Sequence, residues 1–374
     1  MGATIARVLK GVARSSAAAE FFGEVGLGIQ ALRGPCRSAT HRRWLANVQG
    51  MASKSNVDLL VRAGLVLLVV GVLVESRPAR ACSVCGCGDP LLTVSDPAAI
   101  TGSFRLQVDT EYLRIDAGTD GRPGHTDQLS QWSYRFNAVY RPLDALSLAA
   151  TVSLVSKTIH TVGLGTDVVG SDLTGLGDIE LAARYAVWHS VNLGARRVQE
   201  FAVSAGAAIP TGSHNARASD GTLIDPHGQL GTGGWGPFVG VHYRLEQGDW
   251  LAYASVSYRV RTEASFFDGS KYTFGNALLW SVHGQYLPHR RVALDLGVDG
   301  RYANADKATA ADGTLADPVD NTGGTVLAAA PGVYFNAAGG LWFFVRGQLP
   351  FYKDLFGEQD VKPSVVTGVQ FQVF

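Results

Sequence analysis

Three cysteines, Cys82, Cys85 and Cys87, stand close together in the stretch PARACSVCGCGDP at residues 78–90. Thiolates at this C-x-x-C-x-C spacing suit a soft ion: Cu(I), or Zn²⁺ with one further ligand. The α-amine of Cys82 or the carboxylate of Asp89 is placed to complete such a site. Two other fates compete. Lipidation of Cys82 would leave Cys85 and Cys87 to pair, but Ala79 and Arg80 stand where a lipobox carries bulky aliphatic residues. The other fate is a disulfide with one partner outside the chain. Cys36 is the only other cysteine in the 374 residues.

What precedes the cluster decides which compartment it meets. From Met51 the sequence runs through Lys54 and Arg62 into an unbroken apolar stretch, Ala63 to Val74, and then Ala79-Arg80-Ala81. A positive start, an apolar core and an A-x-A site are the parts of a secretory signal peptide. The apolar stretch falls short of the roughly 20 residues of a transmembrane helix. We therefore expect a signal peptide over 51–81, cleaved after Ala81, with an uncleaved anchor as the alternative. Residues 82–102 become a short Cys-rich tail in an oxidising periplasm, where lone thiols do not stay free. Residues 1–50 are arginine-rich without periodicity and are expected to be a misassigned or disordered extension ahead of Met51.

The remainder, 103–374, alternates with period two. FRLQVDTEYL sets Phe104, Leu106, Val108 and Tyr112 against Arg105, Gln107, Asp109 and Glu111. WSYRFNAVYR and VALDLGVDGRY repeat the pattern, which marks strands. Twelve such segments occur, near 103–116, 129–141, 146–158, 176–188, 200–210, 229–244, 250–263, 272–287, 291–303, 323–335, 340–351 and 363–374. Most match the ~9–11 residues of a tilted bilayer-crossing strand. Gaps after odd-numbered segments are long, and those after even-numbered ones are mostly tight turns, with 189–199 as the exception. Long loops at one end and tight turns at the other describe a transmembrane antiparallel β-barrel, all-β, of about 12 strands. Aromatic residues such as Tyr140, Trp188, Trp250 and Tyr286 gather near the segment ends, as interfacial girdles do. A soluble sandwich also alternates, but its outward faces are polar on both sheets. Here one face is nearly all apolar.

If the apolar face meets lipid, the charged face lines the interior. The expected pore-lining set is Arg105, Asp109, Glu111, Arg135, Arg141, Asp178, Glu180, Arg184, Asp295, Asp299, Arg301 and Arg346, with Arg259 and Arg261 in the same register. A lining of both signs argues against strong anion or cation selectivity. Either these groups border a water-filled lumen or they pair across it and fill it. The loop repeat DGTLIDP (220–226) and DGTLADP (312–318) offers carboxylates to calcium, but aspartate, glycine and proline are also ordinary turn residues.

GLGDIELAARY (175–185), IPTG (209–212) and LGTGGWGPFVGVHY (230–243) together resemble the outer-membrane family labelled "MetA-pathway of phenol degradation" or "transporter". The match rests on Gly175, Gly177 and Asp178, on Pro210, Thr211 and Gly212, and on Gly231, Thr232 and Gly233. The resemblance implies an outer-membrane barrel and does not fix a substrate. The expected function is passive or gated passage of small molecules across a bacterial outer membrane. The alternative is a plugged barrel acting as a binding or structural surface protein, or as a periplasmic metal-handling partner through Cys82, Cys85 and Cys87. The 32 basic residues balance 32 acidic ones, which points away from a nucleic-acid partner. No catalytic constellation is expected: there is no His-Glu-x-x-His, no Gly-x-Ser-x-Gly and no phosphate loop. If the thiolates hold metal, a Cys85→Ser, Cys87→Ser variant loses the metal bound to the mature protein in elemental analysis; equal content in both ends that reading.

Overall fold

A strand crossing hydrocarbon can satisfy its backbone N–H and C=O groups only on neighbouring strands. The computed structural model, which describes residues 104–118, 126–163, 166–168, 171–218, 221, 223–338 and 340–373, meets that demand with a closed barrel. The expected leader at 51–81, the extension at 1–50 and the tail carrying Cys82, Cys85 and Cys87 lie outside the described residues.

Twelve antiparallel strands form the wall. They are β1 (Phe104–Gly118), β2 (Thr126–Leu143), β3 (Leu146–Gly163), β4 (Ile179–Asn192), β5 (Arg197–Ile209) and β6 (Gly236–Gln247), followed by β7 (Trp250–Arg259), β8 (Ala277–His289), β9 (Val292–Ala303), β10 (Gly324–Ala338), β11 (Leu341–Leu355) and β12 (Ser364–Val373). Each pairs with its neighbour in sequence, and β1 pairs with β12 from Phe104↔Val373 to Tyr112↔Val365, sealing the sheet. All twelve segments anticipated from alternation are present. Several boundaries differ: the segment expected at 250–263 stops at Arg259, and the one expected at 272–287 starts at Ala277, because Lys271–Thr273 pairs with the neighbouring outer loops instead of the barrel wall. Two more differ in kind. The stretch 189–199 is no long connection: β4 runs to Asn192, β5 starts at Arg197, and the four residues between them turn with Arg196 at φ 47°. Residues 229–235 do not begin β6, because Gly231-Thr232-Gly233 is bent into the preceding loop, with Gly233 at φ 69°.

Side chains sort by face as a bilayer requires and as water would forbid. Leu106, Val108, Trp132, Phe136, Val241, Leu294 and Leu296 point outward and are exposed, while their alternates Gln107, Asp109, Gln131, Arg135, His242 and Asp295 are buried inside. At the C-terminal end, Val365, Val369 and Phe371 face out, and Gln370 and Gln372 face in.

The short turns all lie at the end carrying the two chain ends of the barrel, which makes that end periplasmic. At the other end the strands overshoot the membrane: β2 and β3 are 18 residues each. There the loops 210–235, 260–276 and 304–323 fold together. Short strands Ala264–Ser265, Lys271–Thr273, Lys307–Thr309 and Leu315–Ala316 make a second, four-stranded sheet. Its buried Ala264, Phe266, Tyr272 and Phe274 pack with Leu223, Ala308 and Val319 from the neighbouring loops.

Leu296, on the outer wall, and Leu315, in an extracellular loop, are similarly exposed at 66% and 64%. Leu296→Arg is expected to destabilise the barrel in vesicles by about 2–4 kcal/mol, the cost of arginine near the bilayer midplane, and Leu315→Arg by close to nothing. Urea unfolding of both variants checks this; equal effects would remove the lipid-facing assignment.

Candidate functional site

The interior polar face is organised into hydrogen-bonded clusters. On β1 and β2, Arg135 donates from Nε to Asp109 Oδ1 at 2.6 Å and from Nη1 to Glu111 Oε2 at 2.8 Å. Asn137 and Gln107 each donate to Asp109 Oδ2 at 2.9 Å, and Thr151 on β3 donates to Asn137 at 2.7 Å. Both oxygens of Asp109 are thereby bonded, which is what a fully buried carboxylate requires. Arg259 on β7 donates from Nη1 and Nη2 to the two carboxylate oxygens of Glu180 on β4, and it also lies over the Phe238 ring at 4.9 Å. Arg184 pairs with Glu200 at 2.5 Å.

A second cluster occupies the β7–β11 wall. His283 lies 3.0 Å from Asp295 through Nδ1 and 3.0 Å from Asp299 through Nε2, with its ring stacked on Tyr253 at 4.7 Å. Gly332 stands between Asp295 and Arg346 in the ladder. A Cβ there would sit 3.3 Å from the Asp295 Cβ and 3.5 Å from the Arg346 Cγ, so the side chains of both neighbours lean over the glycine. Of the other sequence-derived positions, Arg105 is buried on β1, Arg301 is half-buried on β9, and Arg141 bonds the Asp144 carbonyl at a periplasmic turn.

Asp178 plays a different part. It sits in the break between the short strand Asp172–Leu176 and β4. Its Oδ1 accepts from Gly212 N at 3.0 Å, and its Oδ2 accepts from Thr232 N at 2.9 Å and Thr232 Oγ1 at 2.7 Å. Thr211 Oγ1 accepts from Ile179 N at 3.0 Å. The three glycine-containing motifs of the sequence thus meet at one point. A Cβ on Gly212 would come within 2.6 Å of the Gly231 Cα, and one on Gly231 within 2.6 Å of Asp178 Oδ1. Only glycine permits three backbone segments to approach so closely.

That point anchors the loop 210–235 over the barrel mouth. Lys157, buried on β3, donates to the carbonyls of His227 at 2.8 Å and Gln229 at 2.6 Å. Gln229, itself buried, uses its amide to bind Ala216 and Ile224 within the loop. Beyond it, His227 Nε2 lies 2.9 Å from the buried Asp306 carboxylate, which also accepts from Tyr272 OH at 2.7 Å and Gly275 N at 2.6 Å. Wall and loop enclose a cavity of about 70 Å³ lined by Arg135, Lys157, Glu180, Gln229 and Thr232. At the rim, Asp360 is held below the ordinary carboxylate range by hydrogen bonds from Lys353 and then Lys362.

Sequence reasoning missed Lys157, His227, Gln229, Tyr272 and Asp306. Lys157 carried a usable signal, being the charged residue on the inner register of β3. Gln229 and Tyr272 stood as the first residues of the strands expected at 229–244 and 272–287 but lie in the outer loops, and His227 and Asp306 carried no signal, since irregular backbone has no period to read. The repeated loop aspartates act in turns: Asp225 accepts from His227 N, Asp312 from Thr314 N, and Asp317 pairs with Lys307. Among the described residues no cluster of His, Cys, Asp and Glu is arranged to hold a metal ion.

The fold has known counterparts. An outer membrane channel from Pseudomonas putida F1 superposes with a TM-score of 0.56 at 14% identity, over 75% of this chain and 100% of that one. Overlap is weaker with the translocator domain of the autotransporter NalP from Neisseria meningitidis (TM-score 0.39, 12% identity, 73% and 88% of the two chains). It is weaker too with a mutant of the TodX monoaromatic hydrocarbon channel (TM-score 0.36, 12%, 80% and 99%). No protein-family model matches the sequence, and no curated protein matches it. The closed sheet, its apolar girdle and the first of these likenesses define an outer-membrane β-barrel.

Asp178→Ala removes three hydrogen bonds from the anchor. Charge-assisted bonds contribute about 1.5–3 kcal/mol each, so trypsin cleavage after the exposed Arg217 is expected to rise at least tenfold. A change below twofold would show that the loop is held elsewhere.

Proposed function

We propose that the protein is a gated outer-membrane channel for small molecules, closed at its extracellular end by the loop 210–235. The observation that carries this reading is the loop's attachment to the inside of the wall through Lys157 and Asp178. A barrel plugged for structure alone has no need of a separately fastened outer loop. The inward charges, with the pore-lining set named from the sequence, would border the path once the loop moves. Their mixed signs fit weak charge selection. The likeness in fold to an outer membrane channel supports the class, and the three converging motifs support membership of the "transporter" or "MetA-pathway of phenol degradation" family. No reaction is proposed.

A second reading is favoured by the buried pairs Arg135–Asp109 and Arg259–Glu180, which fill interior space. It makes the barrel a plugged scaffold that presents its outer loops. The tail would then matter most, with Cys82, Cys85 and Cys87 holding Cu(I) or Zn²⁺ for a periplasmic partner.

Planar-bilayer recording separates the two. The wild-type protein is expected to show brief stepwise openings, and Lys157→Ala, which frees the loop carbonyls, to raise the open fraction several-fold. Silent bilayers with both proteins would favour the scaffold.

A further inference from the structure

The inner wall uses its polar side chains in two ways. On β2, β4 and β6, Arg135, Arg184 and Arg244 each hold a carboxylate. Unpartnered atoms on this side are remainders: Gln107 Oε1, Gln131 Oε1 and Arg244 Nε belong to side chains that bond through another nitrogen. On β7 to β11 each successive strand supplies one buried polar atom without a hydrogen bond: Tyr253 Oη, Gln285 Nε2, Asp295 Oδ1, Tyr334 Oη and Arg346 Nε. Arg346, only 5% exposed, makes no ion pair with any described residue.

These five lie together. Gln285, Asp295, Gly332 and Arg346 are in register across β8 to β11. Tyr334 stands two residues beyond Gly332 on the same face, and Tyr253 stacks on His283, which bonds Asp295. Two of the atoms only donate, one only accepts, and the two hydroxyls do either. An anion would leave Asp295 Oδ1 unanswered, a cation would leave Gln285 and Arg346 unanswered, and hydrocarbon would leave all five. Water both donates and accepts, and a buried water makes about three bonds to polar neighbours. The same wall continues into a cavity of about 210 Å³ at the periplasmic mouth, which Gln285 and Tyr334 also line.

We propose that a cluster of bound water fills the space among Tyr253, Gln285, Asp295, Tyr334 and Arg346, and that the permeation route runs along this half of the interior, with Arg346 as the fixed charge a solute meets there. Side chains bonded to one another close a lumen, whereas side chains bonded to water line a path through it. The route deepens the channel reading and rests on it; the water site does not.

X-ray radiolysis of the full chain in lipid nanodiscs tests the water site, because radicals born from bound water oxidise the side chains beside it. Tyr334 is expected to oxidise several-fold faster than Tyr272, which is equally buried at 6% but whose hydroxyl is held by Asp306. Equal protection of the two overturns the site. Planar-bilayer recording tests the route. Tyr334→Ala should raise single-channel conductance about twofold, and Phe238→Ala, which removes an aromatic side chain from the opposite half, should leave it nearly unchanged. Arg346→Gln should move the reversal potential in a KCl gradient toward cation preference. Equal conductance changes at the two aromatic positions overturn the route, and an unmoved potential removes Arg346 from it. Heat-modifiable gel mobility reports folding, and leucine replaces alanine at both positions if either variant fails. Radiolysis does not depend on conductance. A protected Tyr334 with stepwise currents therefore removes the water site and leaves the channel, while an oxidised Tyr334 with silent bilayers removes the channel with its route and leaves the water.

Discussion

Backbone hydrogen bonding in a solvent that offers none is the constraint from which the structure follows. An unpaired amide in hydrocarbon costs several kcal/mol, so a sheet can enter the bilayer only when its last strand finds its first. The pairing of β12 with β1 supplies that closure. Once the ring is shut, alternation has only one consistent solution. The apolar set faces lipid, and the charges on the strands turn inward except near the extracellular end, where Arg114 and Asp116 pair on the outward register of β1.

Turning charges inward creates a second problem, solved locally. A buried carboxylate or guanidinium is costly unless it is paired and hydrogen-bonded. Asp109 illustrates the solution, with acceptor positions taken by Arg135, Asn137 and Gln107. Glycine takes part by absence: Gly332 leaves room for the side chains of Asp295 and Arg346, its neighbours in the ladder. The outer loops use the same chemistry around Asp306, whose partners come from different loops. The barrel and its outer loops are thus two assemblies, one lined by ion pairs with small apolar clusters between them and one centred on an apolar cluster, joined by Lys157 and Asp178.

Strands were legible because their period is two and the bilayer enforces it along most of each strand. The register of Arg105, Asp109, Glu111 and Arg135 could be read directly. What that register could not reveal was pairing, since Glu180 and Arg259 are partners from different strands with no sequence relation. The misplaced start of β6 has a specific cause. Residues 229–235 contain apolar and small residues that pass for a strand, but the backbone of Thr232 is bonded to Asp178 instead of to a neighbouring ladder. Asp178 itself was read as one more inward charge. Its use as an anchor became visible only when the three glycine motifs proved to lie together. Nothing in the local pattern of residues 223–235 or 304–323 announced that His227, Tyr272 and Asp306 would meet.

The seam between β1 and β12 joins the two ends of the folded sequence. Contacts of that kind have the largest loop-closure entropy to overcome and form late. Eleven strands therefore make an open sheet with two raw edges, each a template for wrong partners. Biogenesis of this chain has to shelter those edges until the final ribbon arrives, which makes escort from translation to insertion a demand of topology itself.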